Sequence, residues 1–322
     1  MSLPPAPCCV PSRARLLQLH ESRRSSAERR RATGGSTADM VRLDGGRFLM
    51  GSEAPEAFAI DGEGPVRQVL LDPFYISKFP VTNAQFAEFA GRTGYITEAQ
   101  RWGWSFVFRN HVPEEQRGPA PAATPWWVRV EGADWLHPEG PRLEDANRAE
   151  RKRTDYPAVQ VSWNDAQAYC EWAGVRLPTE AEWEFAARGA LEQKTYPWGD
   201  ELMPAGRHMC NIWQGTFPGV DLAEDGFSAP APVNSFARNG YGLYTVVGNV
   251  WEWCGDYFDA RWQQTATRVN PVGPSSGTTR VMRGGSYLCH ASFCFRYRNA
   301  ARTANTPDSA TGNIGFRVVR DV

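Results

Sequence analysis

The sequence feature that most limits how this chain can fold is the lack of a sustained apolar repeat in its carboxyl-terminal part. From about residue 195 to Val322, short apolar stretches alternate with Gly, Asn, Asp and Pro, and neither helical nor strand periodicity persists. The chain holds 13 Trp, 30 Gly and 24 Pro, a composition typical of large flat side chains packed between loops. We expect one α+β domain of low regular secondary structure, whose long loops carry function or bind ions.

Three helices are predicted by their capping signals. Each begins with Ser or Thr followed three residues later by Asp, Glu or Gln, so that a side-chain oxygen accepts from an otherwise unpaired amide of the first turn. Apolar residues then recur every three or four positions, and a glycine lies near each end. The caps are Thr82, Ser162 and Thr179, and the glycines are Gly91, Gly174 and Gly189. Cys170, on the second helix, is predicted to be a small core residue.

Strands are predicted near the start of the domain. Asp44-Gly45-Gly46 separates two short apolar runs and favours a hairpin with glycine at positive φ. The expected strands are 41–43, 47–50, 67–71 and 74–77. Residues 1–38 are rich in Pro, Arg and Ser and bury too little apolar surface to offset the entropy of ordering. We therefore predict a mobile tail over 1–38 and a folded domain over 39–322.

Charge and cysteine content narrow the class of protein. Lys and Arg total 35 against 36 Asp and Glu, and this net charge of -1 disfavours nucleic acid as a main partner. No apolar run is long enough to span a membrane. Seven cysteines, an odd number with irregular spacing, do not resemble the framework of a secreted disulfide-rich protein. Because no apolar core segment follows the arginines near the amino terminus, we expect neither a secretory nor an export signal, and a cytoplasmic protein.

The most informative stretch is 283–298, which contains Cys289 and Cys294. Two cysteines five positions apart point to opposite faces of a strand and lie about 140° apart on a helix, so they converge only if the chain turns between them. Arg283, Arg296 and Arg298 would favour thiolate over thiol. A convergent pair of thiolates can serve as a redox disulfide, a structural disulfide or a ligand set for a soft metal.

The ligands narrow the choice of metal. Structural zinc needs four ligands, and His290 is the one local candidate for a third, so zinc is disfavoured. Two thiolates with no other donor suit a soft ion of low coordination number, which among biological metals is Cu(I). A reversible disulfide without metal satisfies the same spacing, and the residues alone leave both possibilities open.

The sequence Gly-Gly-Ser-Tyr-x-Cys-His-x-Ser-x-Cys-x-Arg-Tyr-Arg at 284–298 resembles that of the formylglycine-generating enzymes, the sulfatase-modifying factor family, in their bacterial form. The resemblance extends over about residues 40–320, and its fold would be the loop-rich C-type-lectin-like fold of that family. Matching stretches lie at 94–99, 105–108, 125–127, 137–141, 161–166, 177–184, 197–199, 211–215, 248–253 and 300–317.

This resemblance implies a copper-dependent oxidase. Cys289 and Cys294 would ligate Cu(I), and the cysteine of a Cys-x-Pro-x-Arg motif in an unfolded or extended sulfatase would join them as a third sulfur ligand. O2 would be activated there, a Cβ hydrogen of the substrate would be abstracted, and loss of sulfur would leave Cα-formylglycine, with a thiol as reductant. Ser286 matches the active-site serine of the family. Phe293 replaces a tyrosine of some relatives, so a role for that hydroxyl is not expected here.

An extended substrate requires a surface groove. The resemblance suggests Trp251 as a wall of the pocket, and Trp104, Trp126 and Trp127 are candidate aromatic walls. Packing in the core is the alternative for each of them.

The family pattern also implies two structural Ca2+ sites. Calcium takes oxygens from carboxylates, amides and backbone carbonyls. The expected ligands are Asn211, Ile212, Asp225 and Phe227 at the first site, and Thr245, Gly248, Val250 and Glu252 at the second. Thr245 stands where relatives have Asn and reaches less far. Without the resemblance, ordinary capped turns would explain both segments.

Other functions remain open. The fold also occurs as a binding module, and in ergothioneine-pathway sulfoxide synthases, which need an iron site with histidines on a separate helical domain. The five histidines here show no such clustering. Paired cysteines would be superfluous in a pure binding module. A copper-free thiol-disulfide oxidoreductase would differ from the oxidase by its indifference to copper chelation.

The tail contains a Cys-x-Pro-x-Arg sequence of its own. Cys9-Val10-Pro11-Ser12-Arg13 has the form that the resembling enzymes recognise in sulfatases. Either the match is a coincidence in a mobile segment, or the enzyme oxidises its own tail or the tail competes with substrate.

Overall fold

A computed structural model of the protein describes residues 10–13, 34–141 and 153–322. Within these residues the helices are α1 (Asn83–Thr93), α2 (Glu98–Trp102), α3 (Trp163–Ala173), α4 (Glu180–Arg188) and α5 (Trp262–Thr265), with 3-10 turns at Ala59–Asp61, Arg109–His111, Glu114–Gln116 and Pro204–Gly206. The strands are β1 (Met40–Leu43), β2 (Gly46–Met50), β3 (Arg67–Leu71), β4 (Phe74–Ser77), β5 (Trp104–Phe108), β6 (Trp127–Glu131), β7 (Gly215–Thr216), β8 (Val220–Asp221), β9 (Trp251–Tyr257), β10 (Arg280–Arg283), β11 (Arg302–Asn305), β12 (Ile314–Phe316) and β13 (Val319–Asp321).

The strands form small sheets rather than one continuous sheet. β4 lies between β1 and β13 in an antiparallel three-stranded sheet. A four-stranded sheet has the order β11-β10-β9-β12, in which β12 runs parallel to β9. β2 with β3, β5 with β6, and β7 with β8 form separate pairs. The predicted loop-rich α+β domain is thus confirmed.

The three predicted helices are present, each with a complete capping box. The pairs are Thr82 with Gln85, Ser162 with Asp165, and Thr179 with Glu182. α1 continues past Gly91 and ends at Gly94, whose φ of 66° is the left-handed conformation that glycine adopts without strain. α2 was not predicted, because five residues are too few to show a periodic pattern, although Thr97 caps it in the same way.

The predicted strands are present, but the predicted hairpin is wrong. β1 pairs with β4, and β2 pairs with β3, so the chain crosses between two sheets at Gly45 instead of turning back. Gly45 has φ of 69°, and a Cβ there would collide with the carbonyl of Leu71. The glycine therefore serves a close backbone contact and not a two-residue turn.

The four-stranded sheet was missed because its strands do not alternate. Six of the seven residues of β9 are buried, so apolar and polar positions do not distinguish its two faces. Cys170 is buried on α3, as predicted. Among the described residues, no helix is both long and apolar enough to cross a membrane.

Buried arginine–carboxylate pairs connect the loops to the helices and sheets. Glu180 on α4 accepts from Arg302 on β11 at 2.6 Å and from Arg283 on β10 at 2.9 Å. Further pairs with both side chains buried are Arg176–Glu182, Arg188–Glu184, Arg283–Glu184, Arg296–Asp61, Arg298–Glu63 and Arg317–Glu252. These pairs hold long irregular segments that have few ladder hydrogen bonds.

Candidate active site around Cys289 and Cys294

The chain reaches the cysteine pair through two glycines in the left-handed region. Gly284 and Gly285 have φ of 93° and 73°. A Cβ at Gly284 would lie 2.7 Å from the carbonyl oxygen of Val246, and a Cβ at Gly285 would lie 3.1 Å from the backbone of Tyr297. Glycine is therefore needed where the chain leaves β10 and the loop 286–298 packs back on itself.

Cys289 and Cys294 lie side by side in this loop. Their Sγ atoms are 3.0 Å apart, and both side chains are fully buried. A turn brings them together, because the amides of Phe293 and Cys294 both donate to the carbonyl of His290, at 3.0 and 2.8 Å. The chain thus turns between the two cysteines, as their convergence requires.

The separation of the two sulfurs shows what the pair can do. A disulfide bond is about 2.0 Å long, so the two sulfurs are not bonded to each other and would have to approach by about 1 Å to form one. The Nδ1 atom of His290 lies 2.8 Å from Ser292 Oγ. Within the described parts of the chain, no three His, Cys, Asp or Glu side chains are grouped to hold a metal. Two sulfurs without a third protein donor fit Cu(I) better than zinc.

Ser286 is positioned directly beside Cys289. Its amide donates to Cys289 Sγ at 3.4 Å, and its Oγ accepts from Asn313 Nδ2 at 2.9 Å. Asn313 is fixed in turn by Thr311, whose hydroxyl donates to Asn313 Oδ1 at 2.6 Å. Sequence analysis did not single out Asn313. The sequence offered no local signal for it, because its position beside Ser286 depends on the pairing of β12 with β9.

One of the three neighbouring arginines contacts a sulfur. Arg296 Nη1 lies 4.0 Å from Cys294 Sγ, while its Nε donates to Asp61 at 2.6 Å. Burial raises the pKa of Asp61, and hydrogen bonding and charge from Arg296 oppose that rise. Arg296 therefore supplies a nearby positive charge that Asp61 partly neutralises.

The other two arginines bind carboxylates. Arg283 donates to Glu180 and Glu184 at 2.9 and 2.6 Å. Arg298 donates to both carboxylate oxygens of Glu63, at 2.7 and 2.8 Å. These ion pairs stabilise the loop, and a contribution of the two arginines to the thiolates stays a prediction.

A cluster of aromatic rings lies next to the second cysteine. Phe293, which directly precedes Cys294, has its ring centroid 4.8 Å from those of both Trp126 and Phe217. All three rings are half-buried. Of the four predicted groove tryptophans, Trp126 is therefore the one beside a partly open surface.

The other three tryptophans differ in their surroundings. Trp127 and Trp251 are fully buried and belong to the core, which is the packing alternative. Trp104 is 5% exposed, and the guanidinium of Arg129 lies 4.6 Å from its ring centroid. Trp104 shares a buried cluster with Leu288, the neighbour of Cys289.

The first predicted calcium site brings oxygen atoms together. Asp225 Oδ2 accepts from the amide of Ile212 at 3.1 Å and from Gln214 Nε2 at 2.9 Å, and Gln214 Nε2 also donates to the Ile212 carbonyl. Buried Asn211 Oδ1 has no partner among the described protein groups. Asp225 Oδ1 accepts from the amide of Phe227 at 2.9 Å. Burial raises the pKa of Asp225, a cost that a bound cation would offset.

The second predicted calcium site is not assembled in this way. Both carboxylate oxygens of Glu252 accept from Arg317, at 2.6 and 2.7 Å, and one also accepts from Trp183 Nε1 at 2.6 Å. Thr245 Oγ1 donates to the carbonyl of Val233 at 3.3 Å. The remaining two residues are Gly248, whose amide donates to the Gly284 carbonyl at 2.8 Å, and buried Val250. Both carboxylate oxygens of Glu252 thus already accept hydrogen bonds, and a calcium ion at this site stays a prediction.

Three further cysteines are buried apart from the pair. Burial raises the pKa of the thiols of Cys170, Cys210 and Cys254 well above the ordinary value. They are free of disulfides and suit core packing rather than chemistry.

Comparison with known proteins agrees with this architecture. The model of the sulfatase-modifying factor enzyme 1-like domain matches residues 25–322. The chain belongs to this family. The match begins within the predicted tail, and the boundary at residue 38 stays a prediction. A structure of PvdO from Pseudomonas aeruginosa superimposes with a TM-score of 0.63 at 24% identity, covering 88% of this chain and 94% of that one, and shows the shared family fold.

Two relatives in this family carry contrasting names. A formylglycine-generating enzyme of Thermomonospora curvata is 58% identical over 288 residues, which is 88% of this chain and 93% of the relative. An inactive C-alpha-formylglycine-generating enzyme 2 of Bos taurus is 47% identical over 289 residues, which is 88% of each chain. Membership of the family therefore does not by itself establish activity, which depends on the residues of the site.

Proposed function

We propose that this protein is a copper-dependent oxidase that converts the cysteine of a Cys-x-Pro-x-Arg motif in sulfatases to Cα-formylglycine. The observation that carries the proposal is the pair of buried cysteine sulfurs, of Cys289 and Cys294, 3.0 Å apart. The 58% identity to a formylglycine-generating enzyme supports the same reaction. Bound Cu(I) would supply a redox centre at which O2 accepts electrons.

The proposed reaction balances with a thiol as co-reductant. The substrate side chain loses two electrons as its C–S bond is replaced by a C=O bond, and sulfur leaves as hydrogen sulfide. Reduction of O2 takes four electrons, of which two come from two thiols that become a disulfide. One oxygen atom enters the aldehyde and the other leaves as water.

The protein would hold and orient the reacting groups. Cys289 and Cys294 provide the metal ligands, and Ser286, fixed by Asn313, places a hydroxyl beside Cys289. The substrate would approach as an extended polypeptide past the half-buried ring of Trp126. The apolar surroundings of the sulfurs exclude water, which favours Cu(I) with soft ligands.

We also propose that Ca2+ at Asn211 and Asp225 has a structural role. The unpartnered Asn211 Oδ1 and the Ile212 carbonyl supply oxygens of the kind calcium prefers. No disulfide joins the five cysteines among the described residues, which fits a reducing compartment, and we propose the cytoplasm.

Mass analysis of a peptide tests the oxidase directly. A Cys-x-Pro-x-Arg peptide, incubated with the protein, Cu(I), O2 and a thiol, should lose about 18 Da as thiol becomes aldehyde. Cys294→Ser should abolish both this loss and stoichiometric copper binding. Cys170→Ala, which removes a buried thiol outside the pair, should leave both intact.

A copper-free thiol-disulfide oxidoreductase is the second candidate, because sulfurs 3.0 Å apart can also close to a disulfide. Turnover of the peptide that survives a Cu(I) chelator, or disulfide exchange without any aldehyde, would favour this candidate and refute the oxidase.

A further inference from the structure

Four residues of the tail, Val10–Arg13, lie against the domain. Asn305 Nδ2 donates to the carbonyl of Pro11 at 3.0 Å, and the hydroxyls of Ser12 and Thr306 are 3.2 Å apart. The amide of Arg13 donates to Ser309 Oγ at 3.0 Å. These residues are the last four of the sequence Cys9-x-Pro-x-Arg, whose first residue lies outside the described residues.

The side chain of Arg13 enters the domain beside Trp104. It is fully buried, with its guanidinium 4.8 Å from the centroid of the Trp104 ring. Nη2 donates to the Trp104 carbonyl at 2.7 Å and to Ser105 Oγ at 3.2 Å. The carboxylates of Glu98 and Asp308 act on it at longer range. The pocket therefore recognises an arginine by ring stacking, two oxygens and a negative field.

This pocket adjoins the cysteine pair. Trp104 belongs to the same buried cluster as Leu288, which directly precedes Cys289. Val10 belongs to the large core cluster that contains Cys289 and Cys294. The arginine pocket and Val10 thus each share a buried cluster with residues of the cysteine loop, and both sulfurs are fully buried in this arrangement.

The contacts of Arg13 differ from those of the arginines that pair with buried carboxylates. Arg317, for example, shares two hydrogen bonds with a buried carboxylate. Arg13 makes no ion pair among the described residues, and its Nε and Nη1 have no partner there. A buried arginine without a paired carboxylate gains less from its site than a paired one, so this contact is suited to release.

We propose that residues Val10–Arg13 occupy, as a tethered competitor, the cleft that binds the Pro-x-Arg end of the client motif. This inference rests on the proposed function, since it assigns to the tail the position of a substrate. A client polypeptide then enters the cleft only after the tail has left it. The pocket at Trp104 and Ser105 binds either Arg13 of the tail or the arginine of the client.

The tether sets the expected size of the effect. Twenty residues separate Arg13 from Gly34, and a competitor joined to its site through so short a stretch of chain has an effective concentration of order millimolar. If the motif alone binds with a Kd of about 0.1 mM, the tail weakens peptide binding about tenfold.

Peptide binding without copper measures this competition. The probe is a fluorescent peptide Gly-Cys-Ala-Pro-Ala-Arg-Gly, and its Kd is read by anisotropy. Arg13→Ala should bind the probe about tenfold more tightly than the unaltered chain. Arg23→Ala, which removes the same charge elsewhere in the tail, should bind it as the unaltered chain does. Equal affinity of the unaltered chain and Arg13→Ala overturns the proposal.

Hydrogen exchange gives a second measurement that needs no variant. A saturating amount of the probe should speed exchange in the segment 10–13 of the unaltered chain, and the same peptide with Ala in place of Arg should not. Unchanged exchange with bound probe overturns the proposal. Neither binding measurement involves turnover. If the peptide shows no 18 Da loss with copper, the oxidase is refuted but an observed competition still stands. If the probe binds to no variant, both the oxidase and the competition are overturned.

Discussion

Replacing Glu252 by Gln distinguishes two possible roles of this carboxylate, as a member of an ion pair and as a ligand of calcium. The resemblance to formylglycine-generating enzymes placed this residue in a second calcium site, whereas the structure pairs its carboxylate with Arg317 and with Trp183 Nε1. Both members of the ion pair are fully buried. Gln keeps the shape of the side chain and removes its charge, so Arg317 is left as a buried cation without its counterion.

The magnitude follows from burial and geometry. Removing one partner of a buried pair with good geometry costs about 3–5 kcal/mol, because the remaining charge is uncompensated. Each kcal/mol lowers Tm by about 2 °C in a domain of this size, so we expect a decrease of about 6–10 °C. Glu192→Gln, at an exposed position, should change Tm little.

The assay is thermal and denaturant unfolding with millimolar calcium and with a calcium chelator. An ion pair predicts the same loss of stability under both conditions. The double variant Glu252→Gln with Arg317→Met should be more stable than the sum of the two single losses predicts. A loss that vanishes when calcium is removed would show that Glu252 acts through a bound cation and would refute the reasoning.

Two further predictions concern carboxylates. Asp225→Ala should abolish the stabilisation by calcium, about 3 kcal/mol at a hundredfold excess over Kd, while exposed Asp200→Ala should retain it; equal calcium responses in unfolding experiments would contradict the proposed site. Burial raises the pKa of Asp256 to about 6, above its ordinary 3.8, so the folded state binds the Asp256 proton more tightly than the unfolded state does. Its contribution to stability should therefore be complete below about pH 4 and fall by about 3 kcal/mol as the pH rises through 6, and this decline should be absent in Asp256→Asn when unfolding is compared across that range.

Local signals in the sequence predicted local structure well. Capping boxes at Thr82, Ser162 and Thr179 gave the helix starts, because a cap is satisfied within four residues of chain. The spacing of Cys289 and Cys294 predicted a turn for the same reason, since a five-residue separation leaves few ways for two sulfurs to meet.

Contacts between distant segments could not be read in this way. Nothing near Arg283 in the sequence indicates that its ion-pair partners are Glu180 and Glu184, about a hundred residues earlier. Gly45 predicted a turn, whereas glycine is required there because the carbonyl of Leu71, on β3, leaves no room for a Cβ. A glycine shows that a tight conformation is needed but not which neighbour requires it.

The tail combines both situations. Its Cys-x-Pro-x-Arg sequence was legible from residues alone, yet only the fold shows that Arg13 meets Trp104 and Ser105, more than ninety residues later. An arginine seated without a carboxylate partner is expensive as a permanent part of a core but reasonable for a site that must accept the same side chain from another molecule. A full ion pair in that pocket would strengthen the binding of tail and client alike and would slow the release of either. The absence of a direct ion pair among the described groups is therefore consistent with exchange between tail and substrate.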